Sequence, residues 1–408
     1  METRRAIWAL LALNFFMADF QAGVGPFLGV FLQAHGWESG LIGTALTIGG
    51  VAGLLATAPA GAVVDSSSDK RMLIVVAGIA TCAASALVLL SQSFWMVAFS
   101  QAVTALSAAV LGPALVGMTL GIVHQRGFAR QNGLNQAFNH AGNVAGAALS
   151  GWLGYRYGFV AIFALAAAFG VLSIGTALLI PARAIDNAAA RGLQGEDTNA
   201  AASGLSVLLT CRPLLTLGIA LLAFHLGNAA MLPLFGMAVV GAGKGDPAGF
   251  VALTIIVAQA TMVVASLAAM WAAERTGYWT ILLVSFLALP LRGYIAANAI
   301  DYWGVFPVQI LDGVGAGLQS VAVPGLVARL LDGTGRINVG QGAALTAQGV
   351  GAALSPVVGG WIAQAYGYPA CFLALGVLSI VSIVAWVADK RELDAACGPA
   401  HPIPKTSR

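Results

Sequence analysis

Gly61-Ala-Val-Val-Asp-Ser-Ser-Ser-Asp-Lys-Arg71 is a short polar island between two apolar runs. Residues 41–63 carry no charged side chain, and neither do residues 72–92. An apolar helix of about 20 residues crosses a bilayer. The island therefore reads as a tight turn outside the hydrocarbon. It ends one span, begins the next, and holds Asp65, Asp69, Lys70 and Arg71 in water or headgroups.

The rest of the chain has the same texture. Hydrophobic residues make up 59% of the 408 and charged residues 9%, with a mean hydropathy of +0.87. Soluble domains carry about 25% charged residues. The apolar residues come in repeated long runs, so the expected class is an all-α polytopic membrane protein. The weak alternating segments of a β-barrel are missing. Cys82, Cys211, Cys371 and Cys397 form no Cys-x-x-Cys pair, so neither a metal site nor a redox motif is expected. Arg4 and Arg5 precede an apolar run too long for a signal peptide, and this run carries Asn14 and Asp19; it reads as a retained first span. Gly241-Ala-Gly-Lys-Gly-Asp246 is only superficially a phosphate loop, and no His-Glu-x-x-His or Gly-x-Ser-x-Gly is present. Neither enzyme chemistry nor direct ATP drive is expected, and no cofactor or nucleic-acid partner.

Twelve spans can be placed, at roughly 8–32, 41–63, 72–91, 95–122, 133–153, 158–181, 213–239, 247–272, 279–298, 303–330, 340–364 and 367–388. An Ala-rich polar segment, 182–212, divides them six and six and reads as a plain linker. The expected organisation is a first half over 1–181, that linker, a second half over 213–389 and a tail over 390–408. Sixteen Lys and Arg residues fall on the side of the Asp65 turn, whereas Arg156 and Lys244 alone fall on the other. This asymmetry places both termini and the linker in the cytoplasm. The halves also repeat. Gly151-Trp152 and Tyr157-Gly158 recur as Gly360-Trp361 and Tyr366-Gly367, each 209 residues on, and the same offset carries Asp65 to Glu274 in a second cytoplasmic turn. A parallel repeat of six-span halves is a transporter signature, with the binding site near mid-membrane.

Gly61, Asp65, Lys70 and Arg71, placed after span two of twelve, resemble the signature loop of the major facilitator superfamily, approximately Gly-x-Leu-Ala-Asp-Arg-x-Gly-Arg-Arg/Lys. Ser66, Ser68 and Asp69 depart from that pattern, and Glu274-Arg275-Thr276-Gly277 is a weaker second copy. The resemblance covers essentially the whole chain. It implies a conformational latch made of Gly61, Asp65, Lys70, Arg71, Glu274 and Arg275, in which Asp65 meets the cytoplasmic start of span eleven near Asn338–Gly340. A carboxylate suits a helix N-terminus; the competing reading is a turn that merely marks the cytoplasmic side. Span five, Gly142-Asn-Val-Ala-Gly146-Ala147-Ala-Leu-Ser150-Gly151, is similar to the antiporter pattern Gly-x-x-x-Gly-Pro-x-x-Gly-Gly, with Ala147 in place of the proline and Ser150 in place of a glycine. Its mate in span eleven keeps Pro356. Close packing of small residues explains this pattern as well as export does. Gln101 stands where many exporters of the family carry an Arg, about twelve residues before Pro113.

Charges inside a bilayer are costly and face a cavity or a partner. Three fall within spans: Asp19, Arg292 and Asp312. Arg292 and Asp312 lie equally deep in adjacent antiparallel spans, which suits an ion pair, with a purely structural role as the competing reading. Asp19 has no evident partner, and its repeat mate is Asn228. A lone carboxyl in low dielectric holds its proton more tightly, so Asp19 is the candidate for proton coupling or for a cationic group. Asn14 and Gln21 share another face of the same span. Asn132, Gln136, Asn139 and Asn143 line one face of span five with His140 at its edge, and Gln348 mirrors Asn139 in span eleven. His225 and Asn228 share a face of span seven; Gln309, Asp312 and Gln319 share one of span ten. The sequence thus leads to a monomeric inner-membrane secondary transporter in the lipid bilayer, carrying a small organic solute. Proton-coupled export leads, proton-coupled uptake follows, and a non-transporting sensor or scaffold is the third reading.

Overall fold

The computed structural model describes residues 2–22, 25–190, 211–331 and 337–397. The side chains of Asp19, Gln21, Asp65 and Glu274, and those of 125–130 and 337–339, fall outside the described part, as do some others. The roles expected of Asp19, Gln21, Asp65 and Glu274, the approach of Asp65 to Asn338, the linker beyond residue 190 and the tail beyond residue 397 therefore lie outside the described residues.

All regular structure among the described residues is helical. The helices are α1 (Glu2–Ala22), α2 (Gly25–Ala34), α3 (Ser39–Ser66), α4 (Lys70–Leu90), α5 (Phe94–Tyr157) and α6 (Phe159–Leu179). A 3₁₀ turn (Ala182–Ala184) and the short α7 (Asn187–Ala190) follow. Beyond residue 210 come α8 (Arg212–Asn228), α9 (Met231–Gly241), α10 (Pro247–Thr276), α11 (Tyr278–Asn298), α12 (Val305–Leu330), α13 (Ile337–Tyr366), α14 (Tyr368–Leu378), α15 (Ile380–Ala388) and α16 (Lys390–Cys397). Among the described residues, nine helical stretches are long and apolar enough to cross a bilayer. The expected first, fifth and eleventh spans are carried by α1–α2, the second part of α5 and α13. These three bear many of the amides noted above, which lowers their hydropathy. The fourth and fifth spans form one continuous run, α5, broken at His124, whose backbone turns to φ 52° and ψ 179°.

The polar island is shorter than its sequence implied. Helix α3 runs on through Ser66, so only Ser67, Ser68 and Asp69 form the turn. Asp69 caps α4, accepting from the amides of Arg71 and Met72 at 3.2 Å each. The Arg71 guanidinium grips the same carboxylate with Nε and Nη2, both at 3.3 Å, and donates Nη1 to the Ile180 carbonyl at 3.0 Å. Partial burial pushes the Asp69 carboxyl up, but these donors together hold it below the ordinary carboxylate value. Lys70 corrects the sequence reading. It is not in water but 1% exposed, with its stem passing beneath Gly117, where an added Cβ would lie 2.8 Å from Lys70 Cε. A first-turn lysine on the inner face of α4 can bury its methylenes in this way.

The start of the linker is likewise structured. Asp186 caps α7 by accepting from the Ala189 amide at 3.1 Å, and its own amide donates to the Gly121 carbonyl at 3.0 Å. Gly117 and Gly121 on α5 leave room for Ala190 and for Ile185 with Ala190, respectively. Residues 182–190 are thus a docked segment, and the plain-linker reading is corrected for them.

The chain forms two compact units. Among the described residues, one comprises 2–22, 25–190, 233–256 and 356–364; the other comprises 211–232, 257–331, 337–355 and 365–397. Helices α9, α10 and α13 contribute to both. The first unit has a buried cluster of Leu10, Leu13, Met17, Val64, Ile74, Leu111 and Met118 with smaller neighbours. The second is centred on rings: Phe286 meets Phe224 at 5.9 Å and Trp386 at 5.7 Å, and the buried Trp386 donates its indole N–H to the Trp279 carbonyl. The sequence repeat has a backbone counterpart. Gly158 and Gly367, both following a Tyr, turn the chain at φ 77° and φ 83°, a conformation that glycine adopts without penalty.

Candidate functional site

The second unit contains a charged cluster where α8, α11 and α12 meet. Arg292 on α11 donates Nη1 to Asp312 Oδ1 on α12 at 2.7 Å. The same nitrogen donates to Asn228 Oδ1 on α8 at 2.6 Å, and Asn228 Nδ2 donates to Asp312 Oδ1 at 3.2 Å. Arg292 Nη2 reaches Gln309 Oε1 at 3.2 Å. The ion pair anticipated from equal depth is present, and Asn228 completes a three-way contact with it. Arg292 is 1% exposed and Gln309 is fully buried, while Asp312 keeps 15% of its side chain open. Arg292 Nε and Gln309 Nε2 are buried with no partner among the described residues. Such groups are costly to leave unpaired, and they mark the cluster as a place of stored polarity.

A cavity of about 330 Å³ opens beside this cluster, walled by Phe224, His225, Asn228, Gln319, Gln341 and Gln348 among others. His225 Nδ1 lies 2.9 Å from the Leu221 carbonyl oxygen, which only accepts. That contact puts the ring proton on Nδ1 and leaves Nε2 as the free position. Gln319, on the same helix as Gln309 and Asp312, is tied further along it. It donates to Ser285 Oγ at 2.9 Å, and Ser285 donates to the Gly315 carbonyl.

The first unit has its own polar cavity of about 220 Å³, lined by Asn14, Thr119, Asn132, Asn135, Gln136, Asn139 and apolar neighbours on α5. Asn139 donates to the Asn14 carbonyl at 3.4 Å and accepts from Asn143 at 3.3 Å. Asn14 donates to the Leu10 carbonyl at 2.8 Å. The amide stripe of span five therefore faces a cavity, with His140 half-buried at its edge. A second, buried row escaped the sequence reading. Gln131 donates to Asn135 at 3.0 Å, and Asn135 donates to Thr119 at 2.9 Å. Gln131 and Asn135 are four apart, one residue before Asn132 and Gln136, so the spacing that marked one stripe marked its neighbour too. Close helix approach holds this wall. A Cβ on Gly142 would fall on the Phe15 carbonyl oxygen, and one on Gly151 would lie 2.5 Å from Ala252 Cβ. In the second unit Gly351, the repeat mate of Gly142, meets the Leu222 backbone in the same way.

Of the residues expected in the latch, Arg71 serves the α4 turn and the Ile180 carbonyl, Lys70 packs beneath Gly117, and Arg275 lies over the Trp271 ring at 3.7 Å. At the opposite end of the first unit, α3 and α13 are zipped by polar contacts. Ser39 donates to the Gly360 carbonyl at 3.0 Å, the Gly40 amide to Gln364 at 3.1 Å, Trp361 to Thr44 at 3.1 Å, and the Val357 amide to Thr47 at 3.0 Å. Gln364 also donates to Glu38.

A bundle of apolar helices with amide-lined cavities invites comparison with known carriers. The profile described as Major Facilitator Superfamily matches residues 9–338 and 291–406. The chain belongs to this superfamily. An uncharacterised MFS-type transporter of Mycobacterium tuberculosis (strain CDC 1551 / Oshkosh) is 37% identical over 378 residues, covering 92% of this chain and 90% of that protein; a second, from strain ATCC 25618 / H37Rv, matches equally. Among solved structures, the nucleoside transporter NupG superposes with a TM-score of 0.77 at 12% identity, covering 95% of this chain and 98% of its own. A bacterial homologue of the human lysosomal transporter Spinster gives 0.71 at 14% identity over 98% of this chain and 99% of its own. The tetrameric PepTSo2 gives 0.71 at 15% over 97% of this chain and 100% of its own. These likenesses establish the fold. This superfamily member is an all-α membrane protein of twelve transmembrane helices in two pseudo-symmetric six-helix halves.

Proposed function

We propose that this superfamily member is a proton-coupled secondary transporter that exports a small, largely uncharged organic solute by alternating access. The observation that carries the reading is the character of the two cavities: carboxamides and a histidine line them, and Arg292, in the cluster beside the second-unit cavity, is paired with Asp312. Walls of this kind offer directional hydrogen bonds without a fixed net charge, which suits a polar or amphiphilic solute. In this reading Asn14, Gln21, Asn139, His140, Asn143, Asn228, Gln309 and Gln348 contact the solute. Asp19, with His225, carries the proton, and Arg292 with Asp312 forms the charged element of the second half. The halves are residues 1–181 and 213–389. The protein works as a monomer in the cell's inner membrane, with both termini cytoplasmic and no enzymatic step.

Uptake is the second reading. Ala147 and Gln101 replace the proline and the arginine typical of exporters. Purified protein in proteoliposomes, with a pH dye trapped inside, separates the two. Nucleosides and peptides are the first solutes to offer, because the nucleoside transporter NupG and a bacterial homologue of the human drug peptide transporters PepT1 and PepT2 share the fold. Proton movement against the solute gradient supports export, and movement with it supports uptake. Asp19→Asn is expected to bind solute yet lose pH-driven flux; full pH-driven flux in that variant would remove Asp19 from coupling.

A further inference from the structure

The helix of span seven is interrupted within one continuous apolar stretch, Arg212–Gly241. It breaks between α8 and α9 at Ala229-Ala230. The cause is in the sequence: Pro233 has no N–H to offer the Ala229 carbonyl, and its ring crowds that carbonyl. A break in lipid leaves backbone groups that need partners. The Ala229 amide still donates to the His225 carbonyl at 3.1 Å, but the Ala230 amide leaves the helix pattern and donates to Ser355 Oγ on α13 at 2.9 Å, both groups buried. Gly351, one turn before Ser355, makes this possible by letting α13 lie against the Leu222 and Leu226 backbone of α8.

The last residue of α8, immediately before this break, is Asn228. Its carboxamide is held on both atoms by the charge pair: Oδ1 by Arg292, Nδ2 by Asp312. Neither contact belongs to span seven, since Arg292 is on α11 and Asp312 on α12. The bend is therefore fixed from two sides, by Ser355 on the backbone and by the ion pair on the side chain.

We infer that Asn228 is a positioning residue that transmits the state of the Arg292–Asp312 pair to the bend of span seven. While the pair is closed, both Asn228 hydrogen bonds hold the end of α8 in place. Anything that parts the pair, such as a solute group drawn to Arg292, takes away one bond or both and frees the bend. The groups facing Asn228 that carry or can carry charge are Arg292 and Asp312, with His225 one turn earlier on α8. The inference does not depend on which solute is carried or in which direction.

The test needs no solute. Spin labels at Ile219→Cys on α8 and Ala242→Cys just past α9, both at exposed positions, report the bend in the full-length protein. The natural cysteines are replaced by alanine, and distances are measured by pulsed electron resonance in nanodiscs. Asn228→Ala is expected to shift the distance by several ångströms or split it into two populations. The same substitution is expected to do nothing in an Arg292→Met/Asp312→Met background, where no pair remains to transmit. An unchanged distance in the single variant overturns the inference. So does an equal shift in both backgrounds, which would make Asn228 a local helix-end group. If the pairless protein does not fold, Arg292→Lys decides: it keeps the cation but cannot reach Asn228, Asp312 and Gln309 together. It should reproduce the Asn228→Ala shift, and a native distance in it overturns the inference.

Discussion

Arg292 and Asp312 are bound to each other but are not equivalent. Arginine does not give up its charge in a protein, whereas a stranded carboxylate can take a proton. Arg292 is fully buried and Asp312 is partly open. Asp312→Asn should therefore destabilise more than Arg292→Met, with the former near the roughly 3–5 kcal/mol of a broken buried pair. The double neutral variant Arg292→Met/Asp312→Met should be milder than Asp312→Asn alone. Thermal unfolding in detergent gives the ranking, and equal losses for the two single variants would contradict it. A second residue-scale prediction concerns Asp389, at the end of α15. Its carboxylate accepts from Thr216 Oγ1 at 2.6 Å and pairs with Arg212 at 2.7 Å. Thr216 first, then Arg212, hold its carboxyl below the ordinary value against the push of burial. The stabilisation is complete above the unfolded carboxyl's value of about 3.9 and fades as pH falls through the lower folded value. Asp389→Ala should thus lower the melting temperature by the same amount from neutral pH down to about 5, with the gap closing below about 4. Of these contacts, the Arg292–Asp312 pair was legible because both charges stand alone in apolar runs at equal depth. The burial of Lys70 was not. A lysine beside a turn reads as solvated unless one knows that Gly117, forty-seven residues on, leaves space for its stem.

Helices cross where small residues let their backbones meet, and the α3–α13 crossing in the first unit shows what this demands. A Cβ on Gly43 would fall on the Pro356 carbonyl oxygen and lie 3.3 Å from Gly360 Cα; one on Gly360 would fall on the Ser39 carbonyl oxygen. Gly43→Ala must push the helices apart, an overpacking cost of about 1–3 kcal/mol, and it stretches the Ser39–Gly360 and Thr44–Trp361 bonds as well. Thr44→Val removes only one half-exposed acceptor and should cost about 0.5–1.5 kcal/mol. Melting curves of the two variants test the order, and a larger loss in Thr44→Val would show that the hydrogen bonds, not the close approach, hold the crossing. At this scale the sequence spoke through repetition. Tyr157-Gly158 and Tyr366-Gly367 marked equivalent turns because only a residue without Cβ turns the chain so readily there. The Asn132–Asn143 stripe was legible because amides in hydrocarbon need partners, wherever those partners sit. The docking of residues 182–190 on α5 was not legible, since an Ala-rich segment has no strong pattern and the glycines that receive it lie some seventy residues earlier.

Orientation in the membrane belongs to the whole molecule, and the distribution of lysines makes it measurable. The chain has four: Lys70, Lys244, Lys390 and Lys405. If the side bearing sixteen of the basic residues is cytoplasmic, Lys244, exposed in the turn between α9 and α10, is the lysine that faces outward. An impermeant amine reagent applied to intact spheroplasts should then modify Lys244 and leave Lys390 and Lys405 untouched until the membrane is opened. Lys70 offers an internal control, because its ammonium is buried and should react slowly from either side. Modification of Lys390 in intact cells with Lys244 spared would invert the molecule. That inversion would move the Asp69 turn and the docked α7 to the outer face and bring the α3–α13 zipper to the inner one. It would leave the fold and the charge cluster as they are, since packing does not depend on which leaflet is which. Orientation is written in a different part of the sequence from the fold: the fold in the spacing of apolar and small residues, the orientation in the few charges left between them.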